Sequence, residues 1–395
     1  LVGALLTACT AAPKETAGVA AATLPPAAQP YGAPLGDAQL SYDAVVDLYL
    51  PDPTGTRLIA QQEDVTLTLG RSPAENVVRA LLAREDSTSS RSLGGNVHLQ
   101  LGGVNPIEYS CGVCTVSLAS SALQLEREDF YTLCLAIAST LGAQGFTGVN
   151  VLVAGQAVGM DITSVLPLGT LSARPVSDLS AQWAQFESRR PAVGADASQV
   201  PLNAAATLYF PTAEGTGILA ETRDLSFLGQ TPQQLAATLT EALSAGAQVN
   251  TEAARMPDVS ALLLYAPQIG DLGDGGKAVS LYFPADMEST LRAASIDPAA
   301  FFAALTYTYT TFIPSVTGVR FYFGGAPQTF VRSADYVTYP LDGGMATRHD
   351  FASFVMDCAE LALVRCDRLT LVSRPLPFLT AATPRALLLA LMGAP

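Results

Sequence analysis

The sequence predicts an α/β fold of the α+β type, built as tandem two-layer domains. Each domain is expected to hold a small, mostly antiparallel sheet with two helices on one face. Two observations lead to this prediction. The strand motif Leu-Tyr-Leu-Pro at residues 48–51 returns as Leu-Tyr-Phe-Pro at 208–211, and the helix start Ser-Pro at 72–73 returns as Thr-Pro at 231–232. A period of about 160 residues is too long for a solenoid unit, so each copy is expected to be a domain.

The first half of each repeat has the pattern of two strands followed by a capped helix. Residues 45–50 form an apolar run that ends in a Pro-Asp-Pro-Thr-Gly turn, and residues 58–69 alternate between apolar and polar. The helix start then provides a capping box, with proline at the first helical position. The capping residues and the apolar stripes behind them are Ser72, Pro73, Glu75, Val77, Val78, Leu81 and Leu82 in the first repeat, and Thr231, Pro232, Gln234, Leu235, Leu239 and Leu243 in the second.

The second half of each repeat is predicted to continue with two strands, a helix and a strand. The whole order is therefore β-β-α-β-β-α-β, with both helices on one face of the sheet. Residues 306–311 alternate Thr and Tyr and prefer a strand locally, but the repeat assigns them to the second helix. The matched elements are strands 115–118 and 278–281, helices 127–141 and 298–312, strands 148–153 and 318–323, and turns at Gly155 and Gly325.

The repeats divide the chain into five parts. A third copy of the helix start, Thr383-Pro384, precedes another leucine-rich run, so the end of the sequence is expected to open a third repeat. The expected parts are a remnant of a lipoprotein signal peptide at 1–9, an Ala/Pro-rich flexible tether at 10–42, a first domain at 43–200, a second domain at 201–357, and the start of a truncated third repeat at 358–395.

The first nine residues predict a lipid anchor. The segment Leu6-Thr7-Ala8-Cys9 follows an apolar stretch and resembles a bacterial lipobox, in which the cysteine is acylated and becomes the mature N-terminus. The alternative is an accidental cysteine behind an apolar segment. The Ala/Pro-rich stretch that follows suits a tether, because it buries little and stays extended. We therefore expect a protein that is lipidated at Cys9 and held at the extracytoplasmic face of the cell membrane.

Composition excludes several classes of function. The 395 residues carry a formal net charge of −14, and such an acidic surface repels the phosphate backbone of nucleic acids. The sequence has only two histidines, His98 and His349, which nearly excludes a multi-histidine metal site within the chain. No apolar run reaches the roughly 18 residues that a membrane span requires.

The order of these motifs resembles the GerM domain family of sporulation lipoproteins. The features that carry the resemblance are the Leu-Tyr-x-Pro strand, the Ser/Thr-Pro helix, the Val-Ser-Leu strand and the closing Gly-Val strand. Ser117 and Ser280 stand where the family often has Asp. The resemblance implies a small α/β domain similar to ring-building modules, and a non-enzymatic role in the envelope complex between mother cell and forespore. It leaves a ring-like oligomer open as one form of assembly.

Several cysteines are candidates for chemical sites. The segment Cys111-Gly112-Val113-Cys114 has the spacing of a redox or zinc motif. It leads into a strand rather than opening a helix, and the second repeat has no cysteine there. This favours structural thiols or a local disulfide over a redox or metal role. Cys134 falls on the apolar side of a helix, while Cys358 and Cys366 bracket a strand.

Three other segments have a chemical and a structural interpretation. Residues 270–277 are glycine-rich and end in lysine, but they lack the register of a phosphate-binding loop and favour a hairpin. The run Arg348-His349-Asp350 lacks a nucleophile elbow. Asp271 and Asp274 could bind a hard cation, but an EF-hand register is absent. We therefore expect no catalytic residue, no metal and no cofactor.

The sequence thus predicts a non-enzymatic, lipid-anchored protein that binds other proteins of an envelope or sporulation complex. Linked copies of one domain suit repeated contacts of similar geometry. The alternative is a lipid-anchored solute-binding protein or an envelope enzyme with an unrecognised site. Aromatic residues are the candidates for an exposed interaction surface: Tyr282, Phe283, Tyr307 and Tyr309.

Overall fold

The structure, a computed structural model, has the mixed α+β architecture that the sequence predicts. The order β-β-α-β-β-α-β occurs twice, with short additional elements between the repeated ones. The residues that the structure describes are 41–68, 71–101, 106–158, 168–192, 194–249, 256–273, 275–355, 358–365 and 368–375.

The first repeat consists of a long hairpin, two helices and a mixed sheet. Strands β4 and β5 are parallel, while β3, β6 and β7 pair with them antiparallel. Its elements are β1 Ser41–Pro51, β2 Leu58–Thr68, α1 Pro73–Leu82, β3 Ile107–Ser110, β4 Val113–Leu118, α2 Arg127–Ala143, β5 Gly148–Val153, β6 Gln156–Ala157, β7 Leu171–Ser172 and α3 Leu179–Ser188.

The second repeat has the same plan, with the parallel pair formed by β11 and β12. Its elements are β8 Leu202–Pro211, β9 Ile218–Phe227, α4 Pro232–Ser244, α5 Val259–Leu262, β10 Gln268–Asp271, β11 Lys277–Phe283, α6 Met287–Ala293, α7 Pro298–Phe312, β12 Val316–Phe323, β13 Ala326–Pro327, β14 Phe330–Arg332 and β15 Thr338–Pro340. Short 3₁₀ turns lie at Ser120–Gln124, Ala197–Gln199, Asp342–Gly344 and His349–Phe354.

Strand alternation divides each sheet into a core face and an outer face. In the first repeat, the core face carries Val116 and Val151. In the second repeat, it carries Val279 and Phe321. The buried apolar residues form two clusters, one within residues 44–179 and one within residues 206–355 that also takes in Val113. The predicted division into separately folding domains at residue 200 stays a prediction.

Proline-led caps begin the first helix of both repeats. Thr231 and Gln234 form the full capping box, in which each side chain bonds the other residue's backbone N–H. Ser72 accepts from the Glu75 N–H at 3.1 Å, but the Glu75 carboxylate pairs with Arg79 at 2.8 Å instead of returning to the cap. The predicted capping box is therefore complete in α4 and half-formed in α1.

Helix α7 includes the run of alternating Thr and Tyr that prefers a strand locally. Every residue of this helix is buried. Thr306 and Thr310 donate their hydroxyl protons to the carbonyl four residues earlier, at 2.8 and 2.7 Å, so no polar group is left unpaired there. Burial between the sheet and the β8–β9 hairpin outweighs the local preference, as the repeat predicted.

A further hairpin follows the second repeat. Strands β16 Cys358–Arg365 and β17 Arg368–Pro375 pair antiparallel, and β17 meets β1 in parallel at Val45 and Arg368. The helix expected after Thr383 lies outside the described residues, as do the predicted signal remnant and all but the last two residues of the tether. Strand β1 begins at Ser41, two residues before the expected domain start. Within the described ranges no helix has both the length and the apolar character of a membrane span.

Candidate interaction surface

The outer face of the first sheet is covered by the hairpin of the second repeat. The Asn150 amide donates to Thr115 Oγ1 and to Thr207 Oγ1, each at 3.1 Å. Thr170 Oγ1 lies 2.8 Å from both Asn150 Oδ1 and Thr207 Oγ1. Because these buried polar groups bond one another, the repeats meet through a satisfied polar network, and Val113 of the first repeat packs into the core of the second.

Backbone contacts fix the hairpin at two further points of this interface. The Thr170 N–H donates to the Ala205 carbonyl at 2.8 Å. The Ala220 N–H donates to Ser110 Oγ at 3.2 Å, at the far end of the same sheet. Gly169 has φ +72°, and a Cβ at that position would lie 2.7 Å from the Ala205 carbonyl oxygen. The close approach of the two backbones there requires glycine.

A buried ion pair joins the repeats beside this network. The Arg348 guanidinium pairs with the Glu108 carboxylate, and the side chains are only 7% and 11% exposed. Arg348 also donates to Thr311 Oγ1 at 2.5 Å and lies over the Tyr307 ring, 4.2 Å from its centroid. The Tyr307 hydroxyl donates to the Arg348 carbonyl at 3.1 Å and lies 3.3 Å from Glu108 Oε1.

Electrostatics around this pair keep Arg348 and Tyr307 each in one protonation state. Burial, reinforced by the nearby Glu108 carboxylate, raises the pKa of Tyr307 well above its ordinary value. Burial alone would lower the pKa of Arg348, but the Glu108 carboxylate outweighs it and the net pKa is raised. Arg348 therefore stays a cation and Tyr307 a neutral donor throughout the physiological range.

A cleft of about 260 Å³ opens beside the ion pair, between the first sheet and residues 347–349. Two pairs of its polar side chains bond each other, Ser117 with Gln100 and Arg348 with Glu108. The Ser117 hydroxyl lies 2.5 Å from Gln100 Oε1 and accepts the Gly155 N–H at 3.1 Å. His349 is exposed at the rim, and Asp350 accepts from the Thr347 N–H at 2.8 Å. Arg348, His349 and Asp350 thus face different partners and form no triad.

Among the described residues, no hairpin covers the equivalent outer face of the second sheet. Tyr282 and Tyr322 are ladder partners on it, with ring centroids 4.5 Å apart and planes 14° from parallel. Tyr265 packs edge-on against Tyr282 and remains 65% exposed. Arg320 is half-buried on the same face and makes no ion pair with any described residue. This face, here called the tyrosine face, is defined by Tyr265, Tyr282, Arg320 and Tyr322.

Of the four aromatic residues predicted to form an exposed surface, one lies on the surface and three lie in the core. Tyr282 lies on the tyrosine face. Phe283, Tyr307 and Tyr309 have no exposed surface and belong to the core of the second repeat. Their assignment to an exposed surface is therefore wrong, because Phe283 alternates with Tyr282 along β11 and helix α7 is buried on every side.

The other sequence candidates have structural positions. Cys111 has φ +47° and, with Gly112, makes the two-residue turn between β3 and β4, while Cys114 is buried in β4. Cys134 is buried in α2, and burial raises the pKa of its thiol. Cys9 and Cys366 lie outside the described residues.

The glycine-rich segment forms the expected hairpin end. Lys277 forms an ion pair with Asp271, its ladder partner across β10 and β11. The lysine therefore has a protein partner at the end of the hairpin. Asp274, the second proposed cation ligand, lies outside the described residues. Across the described ranges, no three His, Cys, Asp or Glu side chains are grouped to hold a metal ion.

Comparison with solved structures shows a likeness to a protein of tandem domains. The structure is similar to the tandem GerMN domains of the sporulation protein GerM from Bacillus subtilis, with 16% sequence identity and a TM-score of 0.26. The likeness covers 72% of this chain and 92% of that one. At this identity and score it carries no argument about activity or partners. The chain matches no protein-family model and no curated protein.

Sequence reasoning missed Arg320 and Tyr322 as surface residues. A signal was present, because both alternate with core residues in the closing Gly-Val strand of the second repeat. The same alternation places Asn150 on the outer face of the first repeat. Aligning polar residues at outer-face positions of the two repeats would have indicated this face.

Proposed function

We propose that the chain is a non-enzymatic, lipid-anchored protein outside the cytoplasm that acts as a protein-binding module in an envelope complex of a spore-forming bacterium. One observation carries the binding role. The outer face of the first sheet is covered by the second repeat, while no described hairpin covers the equivalent tyrosine face. Stacked tyrosines beside a cation have the composition of protein-binding surfaces.

Localisation rests on the sequence alone. The lipobox-like Leu6-Thr7-Ala8-Cys9 and the Ala/Pro-rich stretch behind it favour a lipid anchor with a tether. The sporulation context rests on the resemblance of the repeated motifs to the GerM domain family. The alternative, a solute-binding protein or an enzyme, would have to use the cleft beside Arg348. That cleft is smaller than the roughly 300 Å³ of common ligand pockets, and its Ser117 and Arg348 side chains already bond Gln100 and Glu108.

The binding role is tested by capture of envelope proteins from membranes of the source organism. The chain and its Tyr322→Asp variant would be compared, with Leu228→Asp as the matched control because Leu228 is 86% exposed elsewhere on the same repeat. We expect Tyr322→Asp to lose specific binding and Leu228→Asp to keep it. Equal capture by all three proteins would contradict a role for the tyrosine face.

The lipid anchor is tested with Cys9→Ala. We expect the full chain to enter the detergent phase and the variant to leave it, because acyl chains are then absent. A variant that stays as firmly bound to membranes as the wild type would exclude lipidation at Cys9. Substituting Cys134, a buried thiol of the first repeat, controls for the loss of a cysteine as such.

A further inference from the structure

We infer that the tyrosine face binds the proline-rich residues 25–37 of a second copy of this chain. The inference rests on the proposed function, in which this face binds protein, and names the partner. The chains would then associate head to tail, because the segment precedes the first repeat while the face belongs to the second.

The tyrosine face presents a row of three aromatic rings. The ring centroids of Tyr265 and Tyr282 lie 5.7 Å apart, and those of Tyr282 and Tyr322 lie 4.5 Å apart. Tyr265 is 65% exposed, and Leu264, whose backbone N–H donates to the Tyr282 carbonyl at 2.8 Å, is 50% exposed. Exposed aromatic rows are the surfaces on which proline-rich segments dock as polyproline II helices.

Residues 25–37 have the composition of such a ligand. Four of the ten residues 25–34 are proline, a density that favours polyproline II. Because that helix has about three residues per turn, every third residue lies on the same edge. The edge is apolar along most of its length and ends in an acid: Pro25, Ala28, Tyr31, Pro34 and Asp37.

Asp37 would bring a carboxylate to the cation of the tyrosine face. In polyproline II it lies one turn, about 9 Å, beyond Pro34. Tyr322 and Arg320 are two residues apart on the same face of β12, a separation of about 7 Å. A Pro34 ring on Tyr322 would therefore place Asp37 within reach of the long Arg320 side chain. Arg320 is half-buried and makes no ion pair among the described residues, so it can form a charge-assisted bond with this acid.

Charge also selects residues 25–37 over another proline-rich stretch of the chain. Residues 374–385 contain three prolines, but they carry Arg374 and Arg385 and no acid. That stretch would bring like charge to Arg320, which opposes binding.

The order of layers in the fold favours a second copy over the chain itself. The first hairpin packs on the helices of its repeat, and the first sheet, the β8–β9 hairpin, the helices of the second repeat and the second sheet follow in turn. Five steps of about 10 Å place the tyrosine face roughly 50 Å from the first hairpin. Asp37 precedes Ser41, where β1 begins, by four residues that span at most about 14 Å. An Asp37 bound at Arg320 therefore belongs to a neighbouring chain.

The contact is heterologous. Each copy would offer its proline-rich segment to one neighbour and its tyrosine face to another, so association is not limited to pairs. Lipid anchors at Cys9, if both copies carry them, would hold the neighbours in one membrane and raise the effective concentration for a weak contact.

Fluorescence anisotropy with a labelled peptide of residues 22–40 tests this inference on the full chain, with Cys9→Ala throughout to remove acyl chains. We expect saturable binding that Tyr322→Asp weakens about tenfold or more. Leu228→Asp is the matched control, because Leu228 is exposed elsewhere on the same repeat, and it should bind as the wild type does. A peptide of residues 374–385 should not bind. No binding of the first peptide up to about 1 mM, or equal binding of the two peptides, would overturn the inference.

A charge reversal tests the pairing of Asp37 with Arg320. Arg320→Glu should weaken binding of the peptide about tenfold or more. A peptide with Asp37→Lys should bind the Arg320→Glu chain to within about threefold of the wild-type pair, because the charge pair is restored in reverse. If the altered peptide binds this variant no better than the original peptide does, Asp37 does not meet Arg320 and the inference is wrong.

A photo-crosslinker in place of Tyr265, in a mixture of isotope-labelled and unlabelled chains, identifies the occupant. Crosslinks from one copy to residues 25–37 of another support the inference. Crosslinks within one copy, or to residues 374–385 of either, overturn it. Crosslinks in membranes to a different envelope protein alone would also overturn it and would leave the proposed function standing.

Discussion

The backbone N–H of Tyr49 donates a hydrogen bond to Thr140 Oγ1 at 2.9 Å, joining the first strand of the first repeat to its second helix. The second repeat makes the same bond, from the Tyr209 N–H to Thr308 Oγ1 at 3.0 Å. Both threonines are buried, so neither N–H has water as an alternative partner there. The repeated bond fixes the register of the hairpin against the helix in each copy.

Replacing these threonines by valine should destabilise the repeat that holds them. Thr140→Val and Thr308→Val keep the volume but leave a buried N–H without an acceptor, which costs about 1–3 kcal/mol of the free energy of unfolding. Urea unfolding followed by circular dichroism measures this loss. Thr66→Val, at an exposed hydroxyl, should cost less than either. If all three variants unfold alike, the repeated bond does not stabilise the fold.

Much of the fold follows from the sequence because local signals and the repeat agree. The strand at 148–153 and the helix at 298–312 have the bounds that the pattern predicts. The proline-led caps fix the start of α1 and α4. For residues 306–311 the local preference favours a strand, whereas the repeat predicts a helix. The structure has the helix, because burial in the tertiary fold outweighs the local preference.

The contact between the repeats could not be predicted from the sequence. Glu108 and Arg348 lie far apart in the chain, and the run Arg348-His349-Asp350 does not indicate Glu108 as a partner, so only the folded structure brings them together. The predicted aromatic surface failed for a related reason. Aromatic residues serve cores as often as surfaces, and alternation along β11 separates Tyr282 from Phe283 only once the buried face is known.

Gly169→Ala should destabilise the contact between the repeats more than Gly344→Ala. Both substitutions force a side chain into a left-handed conformation, which costs about 1 kcal/mol. Only at Gly169 would the new methyl group also collide with the Ala205 carbonyl oxygen. Comparing the melting temperatures of the two variants isolates the effect of this collision. Equal decreases would mean that the backbones at Gly169 and Ala205 move apart without loss of stability.

Alkaline pH should destabilise the second repeat. Burial raises the pKa of Tyr307 and Tyr309 above the ordinary 10.0, so the unfolded chain releases these protons first. Above about pH 10 the unfolded state binds fewer protons than the folded one, and the free energy of unfolding falls as pH rises. Below that pH the two tyrosines add no pH dependence.

Urea unfolding from about pH 8 to about pH 11 measures this slope. Tyr307→Phe and Tyr309→Phe should each flatten it, because the substituted ring has no proton to lose. An unchanged slope in Tyr307→Phe would show that the Tyr307 hydroxyl does not stay protonated in the folded chain.

Arg348→Met should weaken the contact between the repeats most strongly. The substitution keeps an apolar stem over Tyr307 but leaves the Glu108 carboxylate buried without its cation, which costs about 3–5 kcal/mol. The half-exposed pair of Arg84 and Glu63, with nitrogen and oxygen 2.7 Å apart, provides the control, and Arg84→Met should lower the free energy of unfolding by about 1 kcal/mol or less.

Adding Glu108→Gln to Arg348→Met should recover part of the lost free energy of unfolding, because the unpaired charge is then removed. Urea unfolding of the wild type, Arg348→Met, Glu108→Gln and the double variant completes the cycle, with Arg84→Met measured beside them. If Arg348→Met lowers the free energy of unfolding no more than Arg84→Met does, the buried ion pair is not what stabilises the contact. The polar network around Asn150 would then hold the repeats together.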